Sequence, residues 1–279
     1  MNKSTKGLLL RVGIDSGADT GGDFGPVFKN GQFEYIPISG WEHVNTEKYC
    51  EHKCREINHC FGQHWSDFLK PSLAKKTFHH DPIFDGSWTY GECPTDVRKR
   101  SKDCQPTPKM RALEKLQEGD LLVFTAGLKE WPEIQDDHHH IFIIGYLRVK
   151  ESIPFYHLSN KDIRMHLEQH KSQLSKNAHV VEHNLCPEKR SLESSVIVIG
   201  REYPKSQLLT HAMRISRLGK DSIGRMLRVV GSKIQGYDGK IRNWTEILGI
   251  TGSIQRSTPR WIDQEHIKTL AKELEIPDP

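Results

Sequence analysis

The residues of this chain best suited to chemistry fall in three short stretches. Asp15 and Ser16 end an apolar run that carries one cation, Arg11, and lead into a glycine loop holding Asp19, Gly21, Gly22 and Asp23. His79, His80 and Asp81 stand together before Pro82, with Trp88 and Tyr90 just downstream. Asn177 and His179 make the third stretch. Imidazoles beside a carboxylate act as general acid and base or as metal ligands. Asp15, His79, His80, Asp81 and His179 are therefore the candidate catalytic residues, with a hydrogen-bonded structural turn as the competing reading for His79 and His80. Arg11 must be paired or must face a pocket, because an unpaired buried guanidinium is costly. The N–H groups of the glycine loop are suited to a phosphate, although the loop matches neither a P-loop nor a dinucleotide fingerprint. Trp88 and Tyr90 either stack on a base, a contact worth ~1–3 kcal/mol, or fill the core. Asn177 either reads a base edge or caps a helix. Arg11, Ser16, Gly21, Gly22, Trp88, Tyr90 and Asn177 form the candidate substrate-binding set.

Other clusters carry weaker signals. Cys50, Cys54 and Cys60, with His52, His59 and His64 interleaved, have the donor types for zinc but lack a Cys-x2-Cys knuckle. The alternative is reduced cysteines in an irregular insertion, and no metal is assigned. Asp136-Asp-His-His-His140 places adjacent histidines on a loop, where they diverge, so a solvated loop is expected. No nucleophile elbow, HExxH, Walker motif or deaminase-type Cys-x2-Cys is present. The sequence names no cofactor.

These side chains must be held by a mixture of strands and helices. Leu8 to Ile14 reads as a buried strand. Val27-Phe28 and Phe33 to Ile38 read as a hairpin across Lys29-Asn30-Gly31. Lys109 to Gln117 has the spacing of a short helix, and Leu121 to Ala126 and Ile141 to Val149 are strands, with Gly145 permitting a bend or a close approach. Lys161 to Leu174 reads as one amphipathic helix capped by Asn160. Val196 to Ile199 is a strand, Ser206 to Ile215 a helix and Ile267 to Leu274 a C-terminal helix. Because strands and helices do not alternate strictly, an α+β fold around a mostly antiparallel sheet is expected.

The chain has 279 residues, 35% hydrophobic and 27% charged, an ordinary globular composition that excludes disorder. Its N-terminal apolar run is broken by Arg11 and Asp15, too short for a secretory leader, and no stretch is long enough for a membrane helix. The expectation is a cytoplasmic, non-membrane protein, of undetermined oligomeric state, forming a single domain over 1–279 with its core at 8–200 and a basic extension at 201–279. The net charge of +4 hides an asymmetry: residues 201–260 hold twelve Lys/Arg against four Asp/Glu. A basic C-terminal part suits a polyanion, although a solvated charged face has the same composition.

The run Gly119-Asp-Leu-Leu-Val-Phe, followed by Ile143-Ile-Gly-Tyr, resembles the barrel wall of PUA-like domains, particularly their EVE and YTH branches. With Leu10-Arg-Val-Gly-Ile-Asp-Ser, Gly21-Gly-Asp-Phe-Gly-Pro-Val-Phe, Phe33-Glu-Tyr-Ile-Pro-Ile, His79-His-Asp-Pro-Ile-Phe, Thr89-Tyr-Gly-Glu and Asn177-Ala-His, the chain resembles the nucleotide modification associated domain 3 family from about residue 8 to about residue 216, and more loosely to Trp261. That resemblance implies a PUA-like barrel core, nucleic acid (DNA above all) as partner, and a role in making, reading or processing modified bases. Two functions stay open. One is a module that binds a modified or flipped base at a barrel mouth; the other is an enzyme acting on a base, a free nucleotide or a small molecule through Asp15, His79, His80 and Asp81, with or without a metal. A single site requires Arg11, Asp15, His80 and Asp81 to face one cavity.

Overall fold

A computed structural model describes residues 5–16, 23–40, 47–55, 63–79, 81–94, 105–132, 139–189, 192–202, 206–220, 226–254 and 258–277. Among these, the strands are β1 (Gly7–Arg11), β2 (Gly25–Val27), β3 (Thr89–Glu92), β4 (Leu121–Glu130), β5 (His140–Pro154), β6 (Val196–Gly200), β7 (Gln207–Arg214), β8 (Ser216–Lys220), β9 (Met226–Val230), β10 (Ile234–Gln235), β11 (Ile241–Arg242) and β12 (Arg260–Ile262). The helices are α1 (Pro71–Ala74), α2 (Pro108–Glu114), α3 (Asn160–Gln169), α4 (Lys171–Leu174), α5 (Ala178–Leu185), α6 (Trp244–Leu248) and α7 (Gln264–Glu273).

The main sheet runs β12-β1-β4-β5-β6-β3, with β2 also on β4 and β7 also on β5. β1 and β2 lie parallel to β4, and the other pairings are antiparallel. The fold is therefore α+β with a large, mostly antiparallel sheet, as the order of elements in the sequence requires. Among the described residues no closed barrel of the expected PUA-like kind is formed: the strand path is open between β12 and β3. The reason lies in the burial pattern. β1, β6 and most of β4 and β5 are buried at consecutive positions, on both faces, and a sheet buried on both faces is covered by other elements instead of curling around its own side chains. In β6, Val196 and Val198 join the core shared with α2, α6 and α7, whereas Ile197 and Ile199 join a second cluster with Ile163, Leu174 and Val180 of α3, α4 and α5.

Gly145 explains the irregular centre of the sheet. The β4–β5 register shifts next to its partner Phe124, and the β5–β7 register shifts between Ile143 and Gly145. A Cβ on Gly145 would lie 2.7 Å from the Gln207 carbonyl oxygen and 2.9 Å from the Phe84 ring, so only glycine admits β7 and Phe84 this closely.

Three local expectations are corrected. Within the helix expected over 206–215 the chain instead forms strand β7 (Gln207–Arg214): the helix-favouring Leu, Ala and Met side chains yield to pairing with the edge of β5. The helix expected over 161–174 breaks at His170 into α3 and α4, and its cap is Ser159, whose hydroxyl accepts from the Asp162 N–H at 3.2 Å, instead of Asn160. The turn at 29–31 exists, with Gly31 at φ 85°, but the chain after Phe33 leaves the pairing and packs as irregular backbone through 34–38. No helix among the described residues is long and apolar enough to cross a membrane.

Candidate functional site

The site is assembled by one asparagine. Asn177 caps α5 by accepting from the His179 N–H at 3.1 Å, and its amide nitrogen donates to the Thr89 hydroxyl at 3.3 Å. The first turn of α5 is thereby fastened to β3, which brings His179 over Gly91 of that strand. On the other side, the segment leading to Asp81 is held by the His79 N–H bonded to the Ile38 carbonyl at 3.0 Å. Both carboxylate oxygens of Asp81 accept from the Gly91 N–H, each at 2.9 Å. The result is a buried carboxylate between two buried imidazoles: the Nε2 atoms of His79 and His179 are each 3.7 Å from Asp81 Oδ2, and the rings meet edge to face with centroids 5.6 Å apart. One ligand-type atom from each of the three lies within 4.8 Å of the others, close enough to share a metal ion.

Burial dominates the electrostatics. It pushes the Asp81 carboxyl up from 3.8 to about 6, against the opposing hydrogen bond and charge of His79 and the Gly91 N–H; nearby Glu92 adds to the rise. The Tyr35 hydroxyl donates to the Asp81 carbonyl at 2.9 Å, and its phenol is held well above the ordinary value by burial first, then by Asp81 and Asp15. An acid that titrates near neutrality beside two imidazoles is suited to proton transfer.

His79 opens onto a cavity of ≈ 650 Å³, within the size range of small-molecule sites. Tyr35, Trp65, Phe78 and Phe84 give it an aromatic wall, and Glu34, Arg55 and Lys176 supply charge. Glu34, almost fully buried, organises this wall: it accepts from Trp65 Nε1 at 2.9 Å and from the Arg55 N–H and Nε at 3.2 Å, while Arg55 also donates to the Phe33 carbonyl. His52 lies against Trp65 with ring centroids 3.9 Å apart.

Over residues 6–248 the sequence matches the family described as nucleotide modification associated domain 3, a span that takes in the whole His79–Asp81–His179 cluster and the cavity wall. The chain belongs to that family. No curated protein and no solved structure matches it.

Within this Nmad3 chain the remaining candidates fall in different places. Arg11 and Asp15 form a buried ion pair of their own, with Asp15 Oδ2 2.7 Å from Nε and 2.5 Å from Nη2 of Arg11. They do not line the cavity at His79. The pair is covered by Gly127 of β4, where a Cβ would stand 2.5 Å from Asp15 Oδ2. Trp88 packs against the core at φ 51° and its carbonyl accepts from the Gly200 N–H. Tyr90 stacks obliquely on Phe124 and donates to Glu92 at 2.8 Å, with Lys109 donating to Glu92 at 2.9 Å. Neither aromatic lines the cavity. Ser16 ends the 3-10 turn Ile14–Ser16. His80, Gly21, Gly22 and Asp19 lie outside the described residues, as do His59, Cys60 and the stretch Asp136 to His138. Cys54 is buried, Cys50 exposed, and His52 is paired with Glu47 at 2.7 Å. His139 stacks on Phe24 with ring centroids 4.0 Å apart.

Tyr35, Glu34, Trp65 and Gly91 were not singled out by sequence reasoning. For Glu34 a signal existed, since a carboxylate inside Phe33-Glu-Tyr-Ile is an ion in an apolar run and needs partners. Gly91 gave none, because its role depends on a side chain 88 positions away in the sequence.

Proposed function

We propose that this Nmad3 chain is an enzyme that processes a modified or flipped nucleobase, in DNA or in a nucleotide, bound in the cavity at His79. Asp81, His79 and His179 are its proton-transferring residues, and the same three hold a divalent ion if the reaction uses one. The observation that carries this reading is the placement of a carboxyl group pushed to about 6 between two imidazoles, one of which lines an aromatic cavity. A pure reader of bases needs aromatic faces and amide hydrogen bonds; it has no use for a buried acid between two bases. The family description, nucleotide modification associated domain 3, supports the choice of substrate class.

In this account a base lies against Trp65 and the half-buried Phe84, and the His79 imidazole exchanges a proton with it. Asp81 sets the orientation and charge of both rings, and His179 completes the relay from the far side. The basic segment 201–260 holds the phosphate backbone. Several of its arginines are committed internally, Arg201 to Glu118, Arg242 to Asp238 and Glu273, and Arg214 to the Ser216 carbonyl. The exposed Arg217 and Lys220 on β8 are assigned to phosphate.

Titration calorimetry with a panel of nucleosides, nucleoside monophosphates and modified bases tests the cavity. Selective binding that weakens on Trp65→Ala, by the ~1–3 kcal/mol typical of a lost base stack, is the expected result. Equal binding by Trp65→Ala and wild type would move the substrate elsewhere.

A further inference from the structure

A second cluster of metal-binding side chains lies away from the cavity, at the break between α3 and α4. His166 and His170 are four residues apart, one turn of α3, so both rings project from the same face of the helix. That face meets Glu151 of β5. His170 Nε2 lies 2.9 Å and His166 Nδ1 3.8 Å from the Glu151 carboxylate oxygens, and the two rings are nearly parallel, with centroids 6.2 Å apart. Two histidines at helical spacing and a carboxylate from a neighbouring strand are the donor set of a zinc-type ion.

The decisive detail is what the two nitrogens do not do. His166 Nδ1 and His170 Nε2 are both buried, and among the described residues neither has a hydrogen-bond partner. His170 is 4% exposed, and its Nε2 lies within reach of Glu151 Oε2. Buried imidazole nitrogens left without a bond are costly. They become favourable when lone pairs, not N–H groups, point at a shared centre. Ligands at Zn–N and Zn–O bond lengths of ~2.0–2.2 Å stand roughly 3.3–3.5 Å apart at the tetrahedral angle, and one ligand-type atom from each of Glu151, His166 and His170 lies within 4.8 Å of the others.

We infer that Glu151, His166 and His170 bind a divalent ion of the zinc class, with water completing its coordination on the half-exposed Glu151 side. The ion fastens the end of α3 to β5. It is separate from the His79 cluster and does not depend on the proposed catalysis. The three residues share no lining with the cavity at His79.

The test is zinc content by mass spectrometry, together with the zinc-induced shift in Tm, measured on the full chain after chelator treatment and reloading. The proteins compared are wild type, His79→Gln/His179→Gln, His166→Gln/His170→Gln and Glu151→Gln. Relative to wild type, His166→Gln/His170→Gln is expected to lose one zinc equivalent and most of the Tm shift. His79→Gln/His179→Gln is expected to keep that shift. Glu151→Gln keeps a folded chain at a half-exposed position and is expected to weaken zinc binding at least tenfold, which preserves the test if the double variant does not fold. Unchanged zinc content and Tm shift in both His166→Gln/His170→Gln and Glu151→Gln would overturn the site.

Discussion

Gly91 and His179 are so close that a Cβ on the glycine would lie 2.2 Å from Cδ2 and 2.8 Å from Nε2 of the imidazole. The same N–H that anchors the Asp81 carboxylate thus belongs to a residue that leaves room for the ring beside it. Gly91→Ala keeps the N–H and removes the room. It is expected to displace His179, lowering turnover by about 100-fold, as a misplacement of about 1 Å does, while overpacking costs about 1–3 kcal/mol of stability. Wild-type turnover in a folded Gly91→Ala protein would show that His179 does not need its present position.

Asp81 leaves a signature in the pH dependence of stability. Its carboxyl group titrates at about 6 when folded and at 3.8 ordinarily, so between those values the folded chain holds a proton that the unfolded chain has released. The contribution is fully present below about pH 4 and lost as the pH rises through 6, a change of about 3 kcal/mol. Chemical denaturation of metal-free wild type and Asp81→Asn across pH 4 to 7 checks this. The wild type is expected to lose stability relative to the variant as the pH rises. A constant difference would mean that Asp81 is not raised.

The Arg11–Asp15 pair is a structural anchor in this account, not part of the proton relay. Arg11→Met strands a buried carboxylate and is expected to cost about 3–5 kcal/mol, with Arg11→Met/Asp15→Leu recovering much of the loss. Urea unfolding measures both. If Arg11→Met instead left stability intact and abolished turnover, the pair would belong to the site.

DNA binding through the basic segment has its own test. Affinity for a duplex is expected to fall steeply with salt, and Arg217→Ala/Lys220→Ala is expected to reduce the slope of log K against log salt by about 2. A flat response in the wild type would remove the phosphate contacts.

What the sequence revealed follows the range of the interactions involved. The strands β1, β4, β5 and β6 announce themselves through continuous apolar runs, and Asn177 and His179 were singled out together because a cap and its helix are adjacent. The helix expected over 206–215 failed because Gln207 to Arg214 has no strong pattern of its own and takes its form from β5. The open sheet was hidden for a related reason: whether a sheet closes depends on what covers its second face, and although α3, α4 and α5 lie between β5 and β6 in the chain, only their packing shows that they cover those strands. His79, Asp81 and His179 could be named one by one. That they share a carboxylate, while Arg11 and Asp15 pair apart from them, depends on the packing of α5 against β3. The Glu151–His166–His170 cluster was legible only as helical spacing in an amphipathic helix.

The most direct measurement is nucleoside mass spectrometry of DNA and nucleotides bearing different modified bases, recovered after incubation with wild type and with Asp81→Asn. The account predicts a changed nucleoside mass for at least one substrate with the wild type, and at least a 100-fold slower change with Asp81→Asn. Selective binding of a modified base with no change in mass would contradict it and make the chain a reader.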